Sequence, residues 1–279
     1  RRRVGRVIGN QGGPLTEVVA TADVVSFVFS PPGAPPGTAV KFSAKKDGDK
    51  FVGEVEQPGA KLPLTLTPID AKDGFARKRP QTPQPPFPYK NELVEVKSGD
   101  FTLGCTLSLP EGEGPFPAVV FFTGSGAQDR DETLFEHKPF LVIGDALVRS
   151  GVGTLRCDDR SVGESKGDFA GADINDFVVD GKAMIAYLGG RKEIAKDHIG
   201  ALGHSQGGMV AAELAKAGDI DFAVLVAGPA LSGREVSVRQ NLDAIMAQGV
   251  PPAETKALQD ALEALFQGMA DDLAEVEIQ

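Results

Sequence analysis

The chain has 279 residues, 41% of them hydrophobic and 24% charged, with a formal net charge of −10 at pH 7. That length is ample for a buried core in one large domain or two smaller ones. The acidic balance argues against a nucleic-acid surface, which the short Arg1-Arg2-Arg3 cluster does not reverse, and no run of about eighteen apolar residues is present to span a membrane.

Residues 1–68 carry no helical period. Val18–Phe29 is rich in Val and Phe with partial alternation, and Ala39–Ser43 and Lys50–Val55 are short strand candidates. Pro31-Pro32-Gly33, Asp47-Gly48 and Pro58-Gly59 punctuate them as turns. The segment reads as a small β-rich domain, or the latter part of one, ending near Leu64–Thr67. Residues 69–89 contain Arg77-Lys78-Arg79-Pro80 and Pro83-Gln84-Pro85-Pro86-Phe87-Pro88, and this proline content predicts a stiff, extended linker. A proline-rich recognition motif is the competing reading.

From Asn91 the pattern changes. Leu93–Lys97 and Phe101–Leu109 predict a hairpin around Ser98-Gly99-Asp100, and Phe116–Phe122 is a nearly continuous apolar run, as in a strand buried on both faces. Pro139–Ser150 predicts a helix, Gly151–Cys157 a strand, Ile174–Leu188 a helix, Ile199–Leu202 a strand and Phe222–Ala227 another. Such alternation over 90–233 implies an α/β fold, a mostly parallel sheet with helices on both faces. Cys105 and Cys157 lack metal or redox spacing and read as core residues, with a single disulfide left open. His137, His198 and His204 are scattered without ligand spacing, so no metal and no cofactor is expected.

Residues 199–217 hold the most specific signal. A short apolar strand runs into Gly203-His204-Ser205-Gln206-Gly207 and then an amphipathic helix, the context in which G-x-S-x-G presents a nucleophilic serine on a sharp strand-to-helix turn. A second match, Gly163-Glu164-Ser165-Lys166-Gly167, is followed by no helix start and reads as a solvated loop. After the apolar run 116–122 comes Thr123-Gly124-Ser125-Gly126, a glycine-rich turn that frees backbone N–H groups to face a cleft. Acyl transfer needs two such donors for the oxygen that gains charge. The N–H groups of Gln206 and Ser125 are the candidates, with Gly124, Gly126 and His204 lining the site; a plain tight turn is the alternative.

Three segments occur in order: Thr123-Gly124-Ser125-Gly126 with Asp129-Arg130-Asp131, then Leu155-Arg156-Cys157-Asp158-Asp159-Arg160-Ser161-Val162-Gly163-Glu164-Ser165, then Gly203–Gly208. Together they resemble bacterial α/β-hydrolases of the dienelactone-hydrolase and serine-aminopeptidase-like group, many of them carboxylesterases, over roughly residues 90–245. Some relatives carry an N-terminal β-rich domain, and Val52-Gly53-Glu54 with Leu62–Leu66 resembles the end of one. Ser161 departs from the glycine usual after Asp-Arg. Asp159 and Arg160 read as a structural ion pair supporting the cleft.

The resemblance implies a serine hydrolase that cleaves small-molecule carboxylic esters through an acyl-enzyme on Ser205. It also implies an acid and a histidine after the serine, but no histidine follows Ser205 in this chain. Arg234–Gln279 is largely helical, with Leu258, Leu262, Leu265 and Phe266 at helical spacing, and resembles a helical cap; a peripheral packing helix is the alternative. The chain opens on Arg, and no signal-peptide pattern precedes its first strand-like segment, so the compartment is not legible. The expectation is therefore a chain truncated at both ends, whose acid and histidine lie on a C-terminal segment or a second chain. His137 is the substitute base to weigh. Thioesterase or peptidase chemistry, or a hydrolase-like binding module without catalysis, stay open.

Overall fold

Period-two alternation near the N-terminus folds as an antiparallel meander. The computed structural model describes residues 6–7, 13–30, 39–57, 60–67, 79–134, 137–246 and 252–270. The Arg1–Arg3 cluster, the turns expected at 31–33 and 58–59, and residues 68–78 of the linker region lie outside them. Strands β1 (Arg6–Val7), β2 (Gly13–Ala20), β3 (Val24–Phe29), β4 (Val40–Asp47), β5 (Lys50–Gln57) and β6 (Ala60–Leu66) are hydrogen-bonded in sequence order. Registers Phe27↔Phe42, Phe42↔Val55 and Val55↔Leu62 line up one apolar row, and the Phe27 and Phe42 rings stack at 4.6 Å. The adjacent positions Lys41, Glu54, Glu56 and Lys61 supply the charged face, with Lys61 Nζ 3.0 Å from Glu54 Oε1. The apolar stretch 18–29 splits into β2 and β3 because Thr21 Oγ1 accepts from the N–H groups of Asp23 and Val24, at 3.2 and 2.9 Å, and turns the chain.

The second sheet contains β7 (Lys90–Ser98), β8 (Phe101–Leu109), β9 (Phe116–Phe122), β10 (Gly153–Cys157), β11 (Ile194–His204) and β12 (Phe222–Val226), in the order β12-β11-β9-β10-β8-β7. β9 runs parallel to β10 and β11, whereas β8 runs antiparallel to β10 and β7. Helices α1 (Pro139–Arg149), α2 (Ile174–Gly189) and α3 (Gln206–Ala217) connect these strands. Alternate residues of β9 feed opposite faces. Ala118, Val120 and Phe122 join a core with Met184 and Leu188 of α2 and Val210 and Leu214 of α3, whereas Val119 and Phe121 meet Phe140 of α1. Fully buried leucines such as Leu107, Leu155 and Leu188 contribute on the order of 2 kcal/mol each. α2 begins on a capping box between Asp173 and Asp176, and α3 ends on Gly218 in the left-handed region.

Cys105 and Cys157 face each other in register on β8 and β10 and form a disulfide, so the two core cysteines are also a cross-link. The strand before the turn is longer than its apolar part, since β11 starts at Ile194 and shifts register before Ile199. The chain divides into two compact units, one up to Leu225 and one from Val226 on. The second contains α4 (Gly233–Met246) and α5 (Pro252–Ala270), which pack on each other. Among the described residues no helix is long and apolar enough to cross a membrane.

Candidate active site

After β9, the chain passes through α1 to β10 on one side and then through α2 to β11 on the other. In such sheets ligands bind outside the carboxyl ends of the strands where the order switches. The three segments leaving those ends are 123–132, 158–165 and the turn at Ser205.

Ser205 follows β11 directly and precedes α3, with φ 50° and ψ −116°. A non-glycine residue there costs on the order of 1–3 kcal/mol and persists only when its surroundings fix it. They do so by close packing. A Cβ on Gly203 would lie 2.0 Å from the Gly207 carbonyl oxygen, and one on Gly207 would lie 2.2 Å from that of Phe122. The start of α3 thus rests on the end of β9. Among the described residues nothing hydrogen-bonds the Ser205 hydroxyl, and the N–H groups of Ser125 and Gln206 donate to no protein acceptor.

A pocket with about 510 Å³ of open space adjoins this turn. Thr123, Gly124, Asp159 and Gln206 form polar walls, and Leu103, Phe122, Phe177 and Met184 apolar ones; Ser205 and Ser125 lie outside its lining. Gln206 and Gly124 therefore share one pocket, while Gly126 belongs to the same loop without lining it.

The loop after β9 is tied to the end of β10 residue by residue. Arg130 pairs with Asp158 at 2.6 Å, Asp131 pairs with Arg156, and the Gln128 N–H donates to Asp159 Oδ2 at 2.8 Å. The Asp159 N–H returns a bond to the Gln128 carbonyl at 3.0 Å. The segments read separately from the sequence are one physical unit. Burial raises the Asp158 carboxyl, but bonds from the Arg130 guanidinium and from the N–H groups of Arg130 and Glu164 outweigh it and hold the group below the usual range.

Two sequence expectations need correction. Asp159 and Arg160 do not pair with each other. Arg160 reaches Asp180 at 2.7 Å and Asp176 at 3.1 Å on α2, while Asp159 accepts from Thr123 Oγ1 and Gln128. Adjacent residues leaving a strand point to opposite sides, and neighbouring in sequence is not facing in space. Burial then pushes the Asp159 carboxyl up to about 7, helped by the Asp158 and Glu132 charges and opposed by its hydrogen bonds. Ser165, expected on a solvated loop, is buried: its hydroxyl accepts from the Gly104 N–H at 2.9 Å and donates to the Asp158 carbonyl at 2.7 Å. The second serine motif is a structural tether. Ser161 takes φ 61°, the conformation glycine favours, and its hydroxyl donates to the Gly167 carbonyl at 2.6 Å.

The histidines have separate partners. His137 Nδ1 lies 3.3 Å from Gln81 Nε2, and the exposed His198 lies 3.4 Å from Asp197. His204 Nδ1 lies 2.6 Å from Glu132 Oε1, a buried carboxylate that no motif marked. The nearest sequence signal was the run of short acidic residues before it. Asp129 Oδ1 accepts from the N–H groups of Asp131 and Thr133, which builds the turn presenting Glu132.

A mixed sheet with a parallel centre, bracketed by helices, with a glycine-walled serine turn at the carboxyl end of a central strand, defines the α/β-hydrolase class. The fold of this chain is of that class. Residues 138–276 match the family model described as serine aminopeptidase, S33. Esterase EstD of Thermotoga maritima is 34% identical over 130 residues, covering 47% of this chain and 31% of that protein. The putative hydrolase YtaP of Bacillus subtilis is 30% identical over 115 residues, covering 36% and 38%. The chain thus spans about a third of the length of these curated relatives. Among solved structures, the Pyrococcus furiosus esterase Pf2001 is 20% identical with a TM-score of 0.46, covering 66% of this chain and 63% of that one. A dienelactone hydrolase from Anabaena variabilis is 20% identical with a TM-score of 0.39, covering 50% and 64%.

Proposed function

We propose that this protein is a serine hydrolase that cleaves small carboxylic esters by way of an acyl-enzyme on Ser205. The observation that carries the reading is the strained Ser205 backbone between β11 and α3, with a hydroxyl that nothing among the described residues hydrogen-bonds. In the proposed reaction Ser205 Oγ attacks the ester carbonyl and loses its proton to a base, which hands that proton to the departing alkoxide so that it leaves as the alcohol, and water then releases the acid. The N–H groups of Gln206 and Ser125 stabilise the carbonyl oxygen as it gains charge, in each case worth about a hundredfold or more in rate. Among the described residues no histidine hydrogen-bonds the Ser205 hydroxyl, the contacts of His137, His198 and His204 being to Gln81, Asp197 and Glu132, and none is assigned as the base. The name of the Thermotoga maritima relative supports ester substrates. The division into a β-rich part (1–68), a linker (69–89), a hydrolase core (90–233) and a cap (234–279) belongs to the same proposal.

The aminopeptidase description of the family model favours a second reading, peptide cleavage on the same serine. Turnover of p-nitrophenyl butyrate, its thioester counterpart and an aminoacyl p-nitroanilide decides between them. The ester reading expects the first to dominate and Ser205→Ala to abolish it. Preferential turnover of the anilide would replace the esterase reading with the peptidase one.

A further inference from the structure

Glu132 sits where two segments flanking Ser205 meet. Its Oε1 accepts the Gly124 N–H at 2.7 Å and lies 2.6 Å from His204 Nδ1. A single carboxylate oxygen therefore holds the residue before the candidate donor Ser125 and the residue before Ser205. The Glu132 side chain is only 4% exposed, so water does not compete at its carboxylate. Glu132 also adopts φ 52°, fixed by its own N–H bond to the Asp129 carbonyl at 2.8 Å. The contact is tight on the loop side: a Cβ on Gly124 would lie 3.1 Å from His204 Nδ1 and 3.2 Å from Glu132 Oε1.

We propose that Glu132 is a positioning residue whose carboxylate sets the separation between the Gly124-Ser125 backbone and the His204-Ser205 turn. The inference rests on reading Ser205 as the nucleophile. Acyl transfer is sensitive to this separation because a donor aimed at the ground-state carbonyl rather than the developing oxyanion stabilises nothing extra in the transition state. A displacement of about 1 Å costs on the order of a hundredfold in rate. Releasing the clamp would thus lower kcat while leaving ground-state binding in the pocket intact. Glutamine would keep it closed, since its carbonyl oxygen, standing where Oε1 stands, accepts from both the Gly124 N–H and the His204 Nδ1–H.

The test compares Glu132→Ala, Glu132→Gln, Gly124→Ala and Ser205→Ala in turnover of p-nitrophenyl butyrate, with the affinity of a butylboronic acid as a mimic of the tetrahedral state. The proposal expects Glu132→Ala to lose about tenfold to a hundredfold in kcat with KM within about threefold. Boronate affinity should fall in parallel, and Glu132→Gln should recover most of both. Gly124→Ala presses its Cβ against His204 Nδ1 and Glu132 Oε1, pushing the clamp apart with Glu132 itself unchanged, and should show the same split, which keeps the test decisive if Glu132→Ala does not fold. Wild-type kcat in Glu132→Ala or Gly124→Ala overturns the proposal, as does a loss confined to KM or a Glu132→Gln as impaired as alanine. Those results with an inactive Ser205→Ala would leave the nucleophile reading standing. A fully active Ser205→Ala would remove both.

Discussion

Arg130 grips Asp158 with both arms of its guanidinium, Nε to Oδ1 at 3.0 Å and Nη2 to Oδ2 at 2.6 Å, and adds its own backbone N–H at 2.8 Å. Their side chains are 12% and 6% exposed, so breaking the pair costs far more than breaking a surface bridge. Removing one partner strands the other charge. Asp158→Asn should cost about 3 kcal/mol in urea unfolding, whereas Glu164→Gln, at the exposed arm of the same arginine, should cost less than about 1 kcal/mol. Because Asp158 titrates below its usual range, its contribution is complete above the unfolded value near 4 and is lost as pH falls through the lower folded one.

Asp159 has the opposite linkage. Its folded carboxyl keeps a proton up to about 7, while the unfolded one releases it near 4. The folded state binds more protons in that window, so this group lowers stability as pH rises from about 4 to 7 and no further above it. Asp159→Asn should remove that slope, leaving the variant better placed against wild type at pH 8 than at pH 5. Denaturant titrations at the two pH values measure the difference directly.

The two glycines beside Ser205 allow no substitution on the strand side. Gly203→Ala would drive a Cβ to 2.0 Å from the Gly207 carbonyl oxygen, and backbone cannot yield as a side-chain tip can. We expect a folded protein with the turn displaced and reaction of Ser205 with a fluorophosphonate slowed by more than about a hundredfold, read from timed labelling.

The Cys105–Cys157 bridge closes a loop across a sequence separation of 52 and should stabilise the fold by about 4 kcal/mol through the unfolded chain. Replacing both cysteines with alanine should lower the urea midpoint accordingly. Reductant should then shift the wild-type midpoint and leave the variant's unchanged.

Local pattern revealed most of the fold. Phe116–Phe122 is a strand over the span its apolar run defines, and Gly99-Asp100 closes the expected hairpin between β7 and β8. The long-range partners did not show, because charge complementarity has no period. Arg160 could have met Asp159, Asp176 or Asp180 by sequence, and only the start of α2 against the end of β10 selects the last two. Ser165 looked polar and exposed for the same reason: the Gly104 N–H that needs its hydroxyl lies on another strand. Of the candidate site, the turn and the glycine-rich loop were legible, since both are written in contiguous residues. Glu132 was not, since its role exists only where two loops meet.

The most direct measurement is the mass of the purified protein after reaction with a fluorophosphonate, with the modified peptide sequenced. The account predicts one phosphonyl group, on Ser205, and none in Ser205→Ala. An unmodified wild-type protein, or the same modification surviving in Ser205→Ala, would contradict it.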